Sequence, residues 1–292
     1  MLFKGSGVAL CTPFTEDGVN FGTYEKLIEF QIENDTDALI VCGTTGEPPT
    51  MTNKEQEELV RFAVGQANGR VPVIAGIGGN NTAASLEKAK TYEQAGASGL
   101  LYVTPYYNKC TKSGLLAHFL TVADAVSIPI VVYNVPARTN VNLPLDVWDA
   151  LCGHKNIAMI KEASGNIAQV AEMSRVANGR ADIVSGNDDC IVPLLSVGGV
   201  GVISVLANIL PQYTHDMVMH YLNGDTDKAC KMQLKVLPLV SALFCEVNPI
   251  PAKTALREMG YDMGPFRLPL TEMEEKNKAR LLTEMRAFDL ID

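Results

Sequence analysis

Residues 157–165 run Ile157-Ala158-Met159-Ile160-Lys161-Glu162-Ala163-Ser164-Gly165. An apolar run that ends on a lysine and then a small-residue turn describes a buried strand with an amine at its C-terminal end. A strand covered on both faces reads as near-continuous apolar sequence, the pattern of a parallel sheet. In α/β barrels the C-terminal strand ends carry the chemistry. Desolvation there disfavours the ammonium and lowers the lysine pKa from its reference of about 10.4. The free amine is a nucleophile that forms Schiff bases with carbonyl substrates. The competing reading is a strand-end lysine neutralised by Glu162 or another carboxylate.

The same strand-then-helix pattern repeats on both sides of this segment. Strands are expected at residues 7–12, 38–42, 71–77, 99–103, 130–134, 158–162, 183–186 and 200–205. Amphipathic helices are expected between them, at 23–34, 52–66, 82–94, 113–125, 145–151, 167–176, 188–195 and 210–222. Thr23 is a candidate cap for the first. Thr52 with Glu55 three residues later forms a capping-box pattern for the second. Eight such repeats predict a (β/α)8 TIM barrel of the α/β class. The alternative, a doubly wound open sheet, wants a G-x-G-x-x-G turn after its first strand. Gly76-Ile77-Gly78-Gly79 follows the third strand and lacks that pattern. Beyond Gly224 the strand pattern stops. Residues 225–244, 250–258 and 271–288 read as three helices punctuated by Pro249, Pro251, Pro265 and Pro269. The expected organisation is a catalytic barrel over 1–224 and a small C-terminal three-helix domain over 225–292. The apolar run 236–244 must bury against the barrel or a second subunit.

Bulk properties narrow the function classes. A net charge of −9 without a basic run argues against a nucleic-acid partner. The seven cysteines are scattered with no C-x-x-C, which fits reduced thiols better than disulfides or zinc. None of the four histidines lies in a metal motif such as H-E-x-x-H, so no metal is expected. No apolar stretch approaches the ~18 residues of a membrane span, and residues 1–10 show no signal-peptide pattern. A cytoplasmic location is the expectation.

The predicted strand ends hold a coherent set of groups. The second ends in Cys42-Gly43-Thr44-Thr45-Gly46-Glu47, whose glycines allow close approach of a ligand and whose hydroxyls can hold a carboxylate. The fourth ends in Thr104-Pro105-Tyr106-Tyr107, the fifth in Tyr133-Asn134-Val135-Pro136-Ala137-Arg138, and the sixth in Lys161. Each alone has an ordinary structural explanation. Together they supply what a Schiff-base enzyme acting on a 2-keto acid needs: an amine, a carboxylate cradle and a proton shuttle. Phenols linked by a threonine hydroxyl can pass protons without setting a carboxylate beside the iminium.

Five segments now carry a resemblance over the whole length of the chain. They are 43–47 (Gly-Thr-Thr-Gly-Glu), 133–139 (Tyr-Asn-Val-Pro-Ala-Arg-Thr), 160–165 (Ile-Lys-Glu-Ala-Ser-Gly), 185–188 (Ser-Gly-Asn-Asp) and 248–253 (Asn-Pro-Ile-Pro-Ala-Lys). They resemble the dihydrodipicolinate (4-hydroxy-tetrahydrodipicolinate) synthase family of the pyruvate-dependent class I aldolase superfamily. The resemblance implies condensation of pyruvate with L-aspartate 4-semialdehyde in the diaminopimelate and lysine pathway, without a cofactor. It implies that Lys161 forms the imine, that Tyr133 relays protons there, and that Thr44 links Tyr133 to Tyr107 of a neighbouring subunit. Thr45 would hold the pyruvate carboxylate, Arg138 the carboxylate of the aldehyde, and the backbone near Gly186 and Ile203 would line the pyruvate pocket. It also implies a homo-oligomer, usually a tetramer built from two tight dimers.

The chain departs from relatives inhibited by lysine. Asn80 and Tyr106 match their effector pocket, but Asn53 and Gln56 stand at its two histidine positions and Ala84 at its glutamate position. Pro48-Pro49 removes a serine hydroxyl and two N–H donors. Weak or absent lysine feedback is expected. Rival functions remain. Other pyruvate-lysine aldolases, such as N-acetylneuraminate lyase or a ketodeoxy-sugar-acid aldolase, would share Lys161 and Tyr133 but usually lack arginine at 138. A non-catalytic binding protein on this fold would have lost Lys161, Thr44 and the tyrosines. A phosphate-binding barrel is disfavoured by the acidic Gly186-Asn187-Asp188-Asp189.

Overall fold

Eight parallel strands pair in chain order and close on themselves in the computed structural model, which describes all residues from Met1 to Asp292. The strands are β1 (Gly5–Ala9), β2 (Ala38–Val41), β3 (Val73–Ile77), β4 (Gly99–Val103), β5 (Ile130–Asn134), β6 (Ile157–Glu162), β7 (Asp182–Ser185) and β8 (Gly201–Ser204). Pairing of Gly5 with Gly201 and of Gly7 with Ile203 seals the barrel. Around it run α1 (Phe21–Glu33), α2 (Asn53–Ala67), α3 (Thr82–Gln94), α4 (Lys112–Ala123), α5 (Pro136–Thr139), α6 (Leu145–Cys152), α7 (Ile167–Ala177), α8 (Ile191–Leu195) and α9 (Pro211–Leu222). Three further helices follow: α10 (Thr226–Leu243), α11 (Ile250–Glu258) and α12 (Glu275–Arg286). The expected (β/α)8 barrel is therefore present, with helices beyond it. No helix is long and apolar enough to cross a membrane.

The apolar runs of the strands are explained by burial on two faces. Ala38, Ile40, Ile74, Leu101, Val131, Met159, Val184 and Ile203 fill the barrel interior. Their chain neighbours Leu39, Val41, Val73, Ala75, Leu100, Val132, Ile160 and Ile183 face the surrounding helices. Successive strand residues point to opposite faces. Met159 and Lys161 therefore share the interior, while Ile160 and Glu162 share the helix side.

The helices α10–α12 bury Val236, Leu239, Val240, Leu243, Leu256, Leu281 and Met285 in one cluster with Cys11, Leu27 and Leu206 of the barrel. Residues 236–244 thus pack against the barrel within one chain, although Phe244 stays exposed.

Local signals account for most helix starts. The Thr52–Glu55 capping box is complete, with reciprocal bonds at 3.2 and 2.8 Å. Thr52→Ala is expected to cost about 1 kcal/mol, read as a lower urea midpoint with unchanged slope. The first helix corrects an expectation. Its cap is Asn20, whose side-chain oxygen accepts from Thr23 N–H, and Thr23 lies buried inside the first turn. Asn outranks Thr as a cap, and the helix starts earlier as a result. The stretch 188–195 also differs, splitting into a 3-10 turn (Asp188–Cys190) and the short α8. The last helix is shorter than expected, starting only at Glu275.

Candidate active site

Lys161 stands at the C-terminal end of β6, inside the barrel and 5% exposed. In register beside it on β5 is Tyr133, and the Lys161 Nζ lies 4.5 Å from the centre of its ring. Burial pulls the lysine pKa from 10.5 to about 7; the Asp188 carboxylate partly restores it and the Arg138 guanidinium lowers it further. A substantial fraction is therefore free amine near neutral pH. Pairing with Glu162 does not occur. Glu162 points to the other face of the sheet, where it accepts from Ser164 N–H at 2.7 Å and from the Asn134 side chain at 2.8 Å. That clamp joins the ends of β5 and β6 behind Tyr133 and Lys161.

The room around the amine is set by Gly186, just past β7. A methyl group there would lie 2.7 Å from Ala163 Cβ and 3.0 Å from Lys161 Cε. Only glycine leaves the lysine chain in place. Ile203 is fully buried in the same interior cluster as Tyr133.

Burial also raises the Tyr133 pKa, opposed by Arg138 and by the Thr44 hydroxyl. The phenol thus keeps its proton at neutral pH and can donate it. Thr44 opens a one-turn 3-10 helix, Thr44–Gly46, directly after β2. Its neighbour Thr45 is buried and accepts a hydrogen bond from Asn248 Nδ2 at 2.9 Å. A hydroxyl that accepts from an amide keeps its own O–H free to donate. Arg138 lies in the short α5 and lines a cavity of 290 Å³ together with Thr44, Tyr133, Thr139 and Tyr106.

Tyr107 is not brought to this group. It is 91% exposed and holds left-handed backbone at φ +61°. An exposed aromatic in a backbone region rare for non-glycine residues is a protruding tip.

Three participants were given no role by the sequence, although Asn248 and Asp188 lie in two of the segments that carry the resemblance. Asn248 is separated from Thr45 by 203 residues. Asp188, 2% exposed, accepts from Val205 and Leu206 N–H at 3.0 and 2.9 Å while its other oxygen has no partner. Spacing does not assign either role, because each contact joins residues on different elements. The third is Lys88 of α3, whose Nζ donates to Gln56 Oε1 at 2.8 Å. Lys88 lines the 290 Å³ cavity, and no carboxylate does. A second cavity of 280 Å³, also lined by Lys88, is bordered by Asn53, Glu57, Asn80, Ala84 and Glu87.

No group of three or more His, Cys, Asp or Glu side chains is arranged to hold a metal ion. What the arrangement offers is a dehydrated amine, a protonated phenol beside it, hydroxyls at the end of β2, and a guanidinium at the mouth.

Known proteins resemble this chain over nearly its whole length. The model of the dihydrodipicolinate synthetase family matches residues 2–287. A 4-hydroxy-tetrahydrodipicolinate synthase of Caldicellulosiruptor bescii is 56% identical over 278 residues, 95% of this chain and 94% of the relative. The crystal structure of dihydrodipicolinate synthase from Thermotoga maritima superposes with a TM-score of 0.98 at 40% identity, covering 100% of both chains. That of the enzyme from Cyanidioschyzon merolae with lysine bound does so with a TM-score of 0.96 at 38% identity, covering 99% of each.

Proposed function

Because this chain belongs to the dihydrodipicolinate synthetase family, we propose that it condenses pyruvate with L-aspartate 4-semialdehyde through a Schiff base on Lys161. The observation that carries this reading is the dehydrated amine of Lys161, with its pKa near 7, standing over the Tyr133 ring. The free amine adds to C2 of pyruvate. Tyr133 donates a proton to the carbinolamine hydroxyl, which leaves as water and gives the iminium. Loss of a proton from C3 gives the enamine, which attacks the aldehyde carbon. The amine of the second substrate then attacks C2 and displaces Lys161, closing the ring. Thr45 holds the pyruvate carboxylate, Arg138 that of the aldehyde, and Gly186 and Ile203 wall the pyruvate pocket. Arg138 favours a substrate with a carboxylate beyond the aldehyde over a neutral sugar chain.

The test is borohydride reduction with pyruvate followed by peptide mass spectrometry. A reduced adduct on the Lys161 peptide is expected, with turnover of aspartate semialdehyde and none of N-acetylneuraminate or ketodeoxy-sugar acids. No adduct on folded protein overturns the reading; turnover of a sugar acid alone replaces the second substrate.

The exposed Tyr107 fits a role in a neighbouring subunit, where it would meet Thr44 and complete the relay to Tyr133. The protein then works as a homo-oligomer, at least a tight dimer and in the family's manner a tetramer. Activity that falls on dilution in step with dissociation supports this; a fully active monomer sinks it.

Lysine is not expected to regulate the enzyme. A lysine effector brings an ammonium, yet Ala84 offers it no carboxylate, the nearby Glu57 is already paired with Arg61, Glu87 is exposed to solvent, and Lys88 already places an ammonium on Gln56. Like charges at such range repel, more strongly when partly dehydrated. Addition of L-lysine at millimolar concentration should leave the rate unchanged, and inhibition at submillimolar concentration would falsify this.

A further inference from the structure

The turn that carries Thr44 and Thr45 is held from two directions. On the barrel side, Thr12 Oγ1 donates to the Gly46 carbonyl at 2.8 Å. On the other side stands α11. Asn248, two residues before it, reaches Thr45. Lys253, inside it, places its Nζ 2.8 Å from Glu47 Oε1. Glu47 ends the turn in left-handed backbone at φ +58°. The two charged side chains are 0% and 1% exposed, so neither is in contact with water. The ammonium also lies 4.5 Å from the centre of the Phe14 ring and 5.0 Å from that of Phe266. Thr44 thus sits next to a triplet in which Gly46 is tied to Thr12 of the barrel and both Thr45 and Glu47 to the α11 segment.

Stability is a poor explanation for this pair. Removing two charges from water costs roughly what their attraction returns, unless every remaining lone pair is satisfied. Here Glu47 Oε2 has no hydrogen-bond partner. Buried ion pairs of this kind are better attested as devices that select one geometry. The geometry selected here is that of the turn beside the reacting lysine, and the selecting partner is a helix beyond the barrel.

We infer that Glu47 and Lys253 form a positioning pair through which α11 fixes Thr44 and Thr45 for the substrate carboxylate. The inference rests on the role of Thr45 in holding that carboxylate. Neither Glu47 nor Lys253 touches substrate; each acts through the turn. Loss of the pair should therefore weaken pyruvate capture while leaving the Lys161 amine able to react.

The decisive variant is Glu47→Met/Lys253→Met, which removes both charges at similar volume. Each single change would strand a buried charge and lower Tm. The double change should return Tm to near the wild-type value. Borohydride trapping is then followed against pyruvate concentration. The expected result is a half-saturating concentration raised about tenfold, with the trapping rate at saturation within about threefold of wild type. A merely structural pair predicts recovery of Tm and of half-saturation together, and that result overturns the positioning role. Hydrogen exchange on the wild-type protein gives a second test that needs no variant. The amides of Gly46 and Glu47, which donate within the turn, should be protected equally before and after pyruvate is added; protection of these two that appears only with pyruvate overturns the inference. Absence of any adduct in the wild type instead removes the functional reading itself. An adduct there with unshifted half-saturation in the double variant removes only the positioning role.

Discussion

Lys161→Ala is expected to abolish pyruvate trapping and to lower kcat by at least about a thousandfold, since the covalent step runs through the Lys161 amine and the Lys88 amine is held on Gln56. The fold should survive, because the change removes a buried amine and leaves Asp188 held by the Val205 and Leu206 amides. The companion expectation concerns pH. Imine formation needs the free amine, so its rate rises with pH and levels off above the lysine pKa of about 7. The carboxylate of Asp188 raises that pKa and the guanidinium of Arg138 lowers it. Asp188→Asn should therefore move the acid limb to lower pH, and Arg138→Leu should move it to higher pH. Trapping rates measured across pH on the three proteins check both signs. A limb that stays near the ordinary lysine value would show that the amine is not desolvated in solution.

Tyr133→Phe is the second large effect, expected to lower kcat by about 10²–10³. The substitution keeps the ring that borders Lys161 Nζ and removes only the hydroxyl. Packing inside the barrel is retained, so Tm should change little. Burial holds the phenol in its protonated form, and Arg138 with the Thr44 hydroxyl keeps the shift in check. A group so poised can give a proton to the leaving water and take one back later. The loss should appear in the rate of imine formation at saturating pyruvate, not in the half-saturating concentration. Thr44→Val, which leaves the phenol in place, should cost less. Equal rates for Tyr133→Phe and wild type would mean that solvent supplies the protons.

Two links of different kinds meet in this site. Lys161 and Tyr133 are adjacent in the sheet, so their relation depends on strand register, which the Glu162–Asn134 bond holds at the strand ends. Thr45 depends on Asn248 and therefore on the C-terminal segment. A shift in β5–β6 should disturb proton transfer first, and a shift in α11 should disturb substrate capture first.

Much of this protein could be read from its residue order. Burial on both faces leaves a local trace, so the apolar runs marked all eight strands, and Lys161 stood out as an amine at the end of such a run. The Thr52–Glu55 box was equally local. Gly43 to Glu47, Tyr133, Arg138 and Lys161 were legible because each sits at a strand end, where a barrel gathers its chemistry. Other features left no such trace. Whether Glu162 or solvent faced Lys161 turned on which side of the pleat each residue took once the barrel closed. The partners of Thr45 and Glu47 lie more than 200 residues away, and Lys88 meets Gln56 only because α2 and α3 pack side by side. Local patterns follow from the geometry of neighbouring residues and can be written in a short stretch of chain. The shift of the Lys161 pKa, the free hydroxyl of Thr45 and the dehydrated Glu47–Lys253 pair depend on water being excluded by distant segments, and that exclusion exists only in the folded chain.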